Sequence, residues 1–273
     1  MSKFLVIGDS CLDFYRYGTV NRLSPELPVP ILSFESEEIR GGMAENVRNN
    51  VISLSEESKE NVCLYTSDCL GKKIRYVDKG SNYQLLRVDE ECSHGSKFER
   101  KEFDKFIDEF KPDTILISCY NKGFLKDSDL EYIGQVSTEL GVTTFCDTKK
   151  LLSEFTLDLD YVKINNKEFA AHLKAGIVSP HLYCRNLIIT NGSQNTTLCN
   201  DKIFVEFPVK KVEVFSVIGA GDVTLAALAV RYTETKDINE AIKFANDAAS
   251  YKVKKAGTYS VKRDELNIFR TYA

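Results

Sequence analysis

The chain has 273 residues, with 36 Lys plus Arg, 40 Asp plus Glu and a formal net charge of −4. That length allows one large domain or two small ones and a substantial core. The acidic balance argues against a nucleic-acid coat but not against a phosphate site, which a few backbone amides and one Lys can make. No run approaches the ~20 apolar residues of a membrane span. Met1-Ser2-Lys3-Phe4-Leu5-Val6-Ile7-Gly8-Asp9 enters a short strand without the apolar stretch and cleavage site of a signal peptide. The expectation is a cytoplasmic protein with neither a membrane nor a nucleic-acid partner.

Phe4–Gly8 reads as a buried strand, and so do residues 114–118, 143–146, 161–164 and Leu187–Thr190, all short, apolar and β-rich. Helical periodicity marks 44–54, 98–110, Asp127–Leu140, 223–232 and 239–253. This alternation implies right-handed βαβ crossovers and a doubly wound α/β domain. Residues 14–34, with Pro25, Pro28 and Pro30, and 83–88 break the pattern and suit a small sheet set apart. Residues 196–209 read as a hairpin with Asn200-Asp201 in its turn. No repeat or linker divides the chain, so 1–273 is expected to be a single domain. Cys11, Cys63, Cys69, Cys92, Cys119, Cys146, Cys184 and Cys199 form no Cys-x-x-Cys, and reduced, buried thiols are expected. His94, His172 and His181 are scattered and form no zinc-like cluster.

The sharpest chemical signal is Val217-Ile218-Gly219-Ala220-Gly221-Asp222 before an Ala/Leu-rich helix. Two glycines at a helix start let backbone amides converge at its positive end, an anion hole for a phosphoryl group. Asp222 there can act as a base toward a hydroxyl, or simply cap the helix. Asn165-Asn166-Lys167-Glu168 follows a strand; it reads as a capping box, or as oxygens that hold Mg²⁺ through its waters. Gly8-Asp9-Ser10-Cys11-Leu12-Asp13 offers Asp13 to sugar hydroxyls and Asp9 to support the loop. Gly41-Gly42 before Asn46 lets a polyol approach the backbone, or merely turns the chain into a helix. Tyr120-Asn121-Lys122-Gly123 and Asp147-Thr148-Lys149 each bring a Lys to the edge where open α/β sheets bind ligands, or leave it on the solvated surface. Together these loops read as hydroxyl, base, metal and phosphate hole, which is phosphoryl transfer without a Walker A loop.

The Gly219–Asp222 run, Gly41-Gly42 with Asn46, and Asn165-Asn166-Lys167-Glu168 resemble the signature motifs of the ribokinase-like (PfkB) carbohydrate kinases, over nearly the whole chain. Within that family the D-glycero-D-manno-heptose 7-phosphate kinases are most similar, through residues 8–18, 22–30, 84–89 and 120–123. The resemblance implies a ribokinase-like Rossmann-type three-layer α/β sandwich with a small β lid at about 12–36 and 82–90, often dimeric through that lid. It implies Asp222 as base, with Gly219, Ala220 and Gly221 as anion hole. Asp13, Gly41, Gly42, Asn46, Arg87, Lys122 and Lys149 would face the sugar phosphate, Lys149 near its existing phosphate. Asn165, Thr190, Gly192 and Asn246, with Gly219 and Gly221, would surround ATP. Glu168 and Asn165 would organise Mg²⁺. The implied reaction phosphorylates the anomeric hydroxyl of the heptose 7-phosphate to a 1,7-bisphosphate. Since no His-x-Gly-His occurs, adenylyl transfer would need a separate nucleotidyltransferase. Another sugar, sugar phosphate or nucleoside is the alternative acceptor, and a regulatory pseudokinase is the reading from another class.

Several positions depart from the pattern. Ser216 and Ile218 replace the usual Asp-x-Thr, which leaves a monovalent-cation requirement open. Cys119 stands for an Asp, Thr148 for a Pro and Asn195 for a Gly. Residues 66–81 look short of a helix and a strand, including part of the lid, and 173–185 short of most of a helix.

Overall fold

A computed structural model describes residues 1–92 and 94–272. Its main sheet has eight strands: β1 (Phe4–Gly8), β4 (Val62–Tyr65), β7 (Thr114–Cys119), β8 (Thr143–Thr148), β9 (Tyr161–Asn165), β10 (Leu187–Thr190), β11 (Thr196–Cys199) and β12 (Phe204–Phe207). The spatial order is β12-β11-β10-β9-β8-β7-β1-β4. The pairs from β4 through β10 are parallel, and the β11–β12 hairpin adds on antiparallel.

Helices cover both faces, which is why the central strands are buried and mostly apolar. Along β1, Phe4 and Val6 pack into one core while Leu5 and Ile7 pack into the other, the period of two a strand imposes. The first core takes its helices from α1 (Ala44–Ser55), α5 (Ala220–Thr235), α6 (Ile238–Lys252) and α7 (Arg263–Tyr272). The second takes α2 (Arg100–Phe110), α3 (Asp127–Leu140) and α4 (Asn166–Lys174). This is the three-layer α/β sandwich expected from the sequence. Helix α2 starts two residues later than its periodicity suggests, because Phe98 is held by the Phe124 carbonyl at 3.1 Å rather than by helical bonds. Helix α5 starts three residues earlier, because Gly219 at φ +77° lets the chain turn directly into it.

The smaller sheet joins β2 (Ser10–Leu23), β3 (Pro30–Met43), β5 (Gly71–Asp78) and β6 (Tyr83–Glu90), in the order β3-β2-β5-β6. Here the sequence reading needs correction. Residues 66–81 do supply a lid strand, β5, which lies parallel to β2 in the middle of the sheet. Lys72, Lys73 and Arg75 hide it, since an apolar alternation is what a strand ordinarily shows. Residues 66–70 cross from β4 to β5 without a helix. The segment after α4 likewise keeps only a short 3₁₀ turn at Pro180–Tyr183.

The thiol expectation is also corrected at one pair: Cys69 and Cys92 form a disulfide, with Cα atoms 6.1 Å apart. The β5–β6 hairpin makes this pairing. Its last register pair is Lys72 with Glu90, so the residues just beyond it face each other. The other six cysteines are free. No described helix is long and apolar enough to cross a membrane.

Closing a loop with a sequence separation of 23 restricts the unfolded chain by about 3 kcal/mol. Cys69→Ser should therefore lower the urea midpoint, and dithiothreitol should bring the native chain to the same value. Identical midpoints in all three conditions would show that the bond adds no stability.

Candidate active site

All parallel strands end on one edge, and the loops that follow them build the site. Asp9, directly after β1, is buried and shapes the loop after β7. Its carboxylate accepts from the amides of Tyr120 (2.7 Å), Lys122 (3.2 Å) and Phe124 (3.3 Å). That loop places Tyr120 so that its hydroxyl donates to Asp222 Oδ1 at 2.7 Å. From α1, Asn46 Nδ2 donates to Asp222 Oδ2 at 2.7 Å, and Asn50 in turn anchors Asn46 Oδ1 at 3.1 Å. Asp222 thus has both oxygens fixed. It sits at the third position of α5 and does not cap it; the cap position is Gly219.

Burial raises the Asp222 carboxyl to about 6, against the two hydrogen bonds that favour its ionised form; Asp147 raises it further and Lys163 lowers it. Burial, followed by the charges of Asp222 and Asp147, drives the Tyr120 phenol well above its ordinary value, so it remains a donor. Beside Asp222 the amides of Gly219, Gly221 and Asp222 have no hydrogen-bond partner in the described structure. Unpaired amides at a helix start can receive an anion, and Gly219 and Gly221 line a cavity. Space also requires the glycines. A Cβ on Gly219 would stand 2.9 Å from Asn46 Nδ2, and one on Gly221 would stand 3.3 Å from Lys163 Nζ.

Lys163, in the middle of β9, is buried and ion-paired with Asp147 at 2.5 Å. Lys149 bridges Asp147 (3.1 Å) and Glu168 (2.6 Å). Burial opposes ionisation of Asp147, yet the two lysines outweigh it and hold the carboxyl below its usual range. Lys149 is raised: burial works against its charge, but Asp147 and Glu168 prevail. Asn165 and Glu168 form the capping box read from the sequence: Asn165 Oδ1 accepts the Lys167 and Glu168 amides, and Glu168 Oε2 accepts the Asn165 amide. A cavity of about 530 Å³ joins these groups, lined by Lys149, Asn165, Thr190, Gly192, Gly219, Ala220, Gly221 and Asn246 together with Tyr120 and Lys163. Asn246 is tied to the hairpin, accepting from Thr196 at 2.7 Å.

The lid floors the other side of Asp222. Asp13 is buried and paired with Arg75 Nη1 at 2.6 Å, both side chains 4% exposed. A Cβ on Gly42 would lie 2.6 Å from Asp13 Oδ2, so Gly42 makes room for that carboxylate; one on Gly41 would strike the Glu45 side chain. Burial and then Asp13 raise the Cys11 thiol to about 11. Lys73 and Lys149 both stand over the Tyr120 ring, at 5.7 and 5.2 Å. Lys122 lines a small cavity of about 100 Å³ between lid and core and pairs with Glu91. Arg87 lines neither cavity; it sits across from Arg75 on the outermost lid strand, half-exposed and paired with Asp89.

Sequence reasoning missed Lys163, Lys73 and Arg75, and it singled out the Tyr120 loop without giving Tyr120 itself a role. Lys163 had a legible signal, a lone charge inside an apolar strand. The contact of Tyr120 with Asp222 comes from the loop that Asp9 folds.

Residues 125–265, just over half of the chain, match the pfkB family carbohydrate kinase model. Over 97% of its length the chain is 31% identical to the Bifunctional protein HldE of Helicobacter acinonychis (strain Sheeba), of which it spans 66%, a little under two thirds. Among solved structures it superposes on ribokinase from Thermotoga maritima with a TM-score of 0.74 at 19% identity, over 99% of this chain and 100% of that one. Phosphofructokinase-2 from Escherichia coli, solved in complex with potassium, gives 0.73 at 16% identity, over 100% and 99%. The chain belongs to the pfkB family of carbohydrate kinases.

Asp222 must be ionised to accept a hydroxyl proton. Its folded-state value of about 6 lies above the ordinary 3.8, so the folded protein holds this proton more tightly than the unfolded chain. The stability it contributes is full below about pH 4 and lost as pH rises through about 6, on the order of 3 kcal/mol. Phosphoryl transfer should accordingly fall on the acid side with a limb near pH 6. In Tyr120→Phe that limb should move upward, because a bond favouring the carboxylate is gone. A pH profile of kcat/KM whose limb stays put in Tyr120→Phe would detach it from Asp222.

Proposed function

We propose that this protein is an ATP-dependent kinase for a sugar that already carries a phosphate, and that the acceptor is the anomeric hydroxyl of D-glycero-D-manno-heptose 7-phosphate. The observation that carries the reading is Asp222, buried and pinned by Asn46 and Tyr120, beside three unpaired amides. In the reaction Asp222 takes the hydroxyl proton as the sugar oxygen bonds to the γ-phosphorus. The bond from that phosphorus to the ADP oxygen breaks, and the Gly219–Asp222 amides receive the developing charge. The large cavity, with Thr190, Gly192 and Asn246, suits the nucleotide. Asp13, Gly42 and Asn46 suit the sugar.

Lys73 and Lys149, flanking Tyr120, are placed for an anionic acceptor. Among the described residues no three His, Cys, Asp or Glu side chains gather as a protein-caged metal would need. The donors present fit Mg²⁺ only as it is usually held beside phosphates, through water. Glu168 and Asn165 would hold it so, and the ion would neutralise phosphate charge. Another sugar phosphate is the second reading, favoured by the position of Arg87 outside both cavities.

A homodimer through the lid is part of the proposal. Ile39, Phe14, Ile74 and Val88 form one row across the four strands, and Leu86 lies in the next. Ile39 and Leu86 are 54% and 56% exposed, an apolar patch that a second copy would cover.

ADP release from Mg-ATP, measured with a panel of sugars and sugar phosphates, tests the reading. Heptose 7-phosphate should give the highest turnover, and Asp222→Asn should lower it by about a thousandfold. Nucleotide binding without any acceptor-dependent ADP release would sink the proposal and favour a regulatory pseudokinase.

A further inference from the structure

One buried cation takes no part in the chemistry above. Lys252, the last residue of α6, is fully enclosed, and it continues the helix's buried stripe of Ala241, Ala245 and Ala248. A lysine with a buried stem ordinarily keeps its ammonium in water. Here the ammonium is inside, and the partners the structure gives it are main-chain carbonyls: Nζ donates to Ser216 O at 3.1 Å and to Lys255 O at 3.4 Å. No carboxylate pairs with it among the described residues. Asp222 acts on it through space and favours its charge, while Arg40 opposes. The C-terminal end of α6 also favours a cation.

The two carbonyls belong to the two loops that flank the anion hole. Ser216 begins the strap that runs through Val217 and Ile218 into Gly219. The amides of Phe215 and Ser216 both donate to Val253 O, at 2.7 and 2.9 Å, so the strap is fastened beside Lys252. Lys255 leads to Gly257 and Thr258, and the Thr258 methyl lies 3.7 Å from where a Cβ on Gly219 would stand. The Thr258 hydroxyl oxygen is buried without a partner. Carbonyl dipoles that replace a hydration shell are how proteins seat a bare monovalent cation. In this chain the ion is carried by the polypeptide.

We infer that Lys252 is a built-in monovalent cation, a positioning residue that holds the Ser216–Gly219 strap against the Lys255–Thr258 loop and so keeps the anion-hole amides aimed, which makes activity independent of added potassium or sodium. Although burial draws its pKa down to about 8, the ammonium remains protonated at pH 7. The inference rests on the kinase reading of the site.

The test uses the full chain in a tetramethylammonium buffer at pH 7, without alkali ions. Native turnover should change by less than about twofold on adding 100 mM KCl. Lys252→Ala should lose about a hundredfold in kcat with a smaller change in KM, and methylammonium, ammonium or potassium should restore it in part. Lys252→Met, which fills the space without charge, should be equally slow and not restored. Melting curves need no turnover: Lys252→Ala should gain stability with methylammonium or potassium, and the native chain should not. That melting result without turnover in either protein would overturn the kinase reading and with it the catalytic part of the inference, while leaving Lys252 as the cation that fastens the two loops. Native activity that needs potassium, or a Lys252→Ala whose kcat holds while its melting temperature drops, would overturn the inference. Should Lys252→Ala fail to fold, the native salt response and Lys252→Met decide the matter.

Discussion

Asp222, Asn46 and Tyr120 meet although 176 and 102 residues separate Asp222 from its two partners. A carboxylate buried this deeply would ordinarily cost several kcal/mol if left unpaired. Two donors stabilise its ionised form while burial keeps its proton affinity high. The proposed base needs both properties, charge at neutral pH and enough basicity to take a proton from a hydroxyl. Much of the fold serves that balance. The first βα unit delivers Asn46, the loop after β7 delivers Tyr120, and α5 delivers both the carboxylate and the amides beside it.

Charge is distributed around this centre in alternation. Asp9 spends its carboxylate on backbone amides and thereby shapes the Tyr120 loop. Asp147 lies between Lys149 and Lys163, and Glu168 completes the line. Two lysines near a phosphate site would repel each other if unpaired. The acids between them let both line the same cavity, with Lys163 close to the Gly221 turn. Under the proposed function such a ladder would favour phosphates over neutral ligands, because a multiply charged anion competes best for the lysines.

The strand–helix alternation was legible from residue patterning alone, because strands buried on both faces must be apolar and helices with one buried face must be periodic. The turn into α5 was legible because two glycines stand directly before an Ala/Leu-rich run, and Gly219 is its cap residue. What escaped were features created by register and by loops. β5 did not read as a strand, since Lys73 and Arg75 face the site and disguise its alternation. The Cys69–Cys92 bond depends on the β5–β6 register, which spacing of cysteines does not reveal. Tyr120 depends on how Asp9 folds its loop. Lys252 occupies a position where the helical stripe calls for an apolar residue, and that violation was the available signal.

The loop between α6 and α7 gives these parts a common mechanical point. The Tyr15 hydroxyl, from the lid, accepts the Thr258 amide at 2.9 Å, and a Cβ on Gly257 would come within 2.7 Å of that same oxygen. Arg40, also from the lid, donates to the Thr258 carbonyl, and Arg40 and Arg75 both lie over the Tyr15 ring, at 5.2 and 5.1 Å. Arg75 in turn holds Asp13. The lid residues proposed to receive a sugar are thus linked through Tyr15 to the loop that packs against Gly219 and bonds Lys252. A displacement of the lid strands by a bound acceptor would be felt at the anion hole through one short segment. Gly257 at φ +58° can occupy that segment, where a side chain would collide with Tyr15.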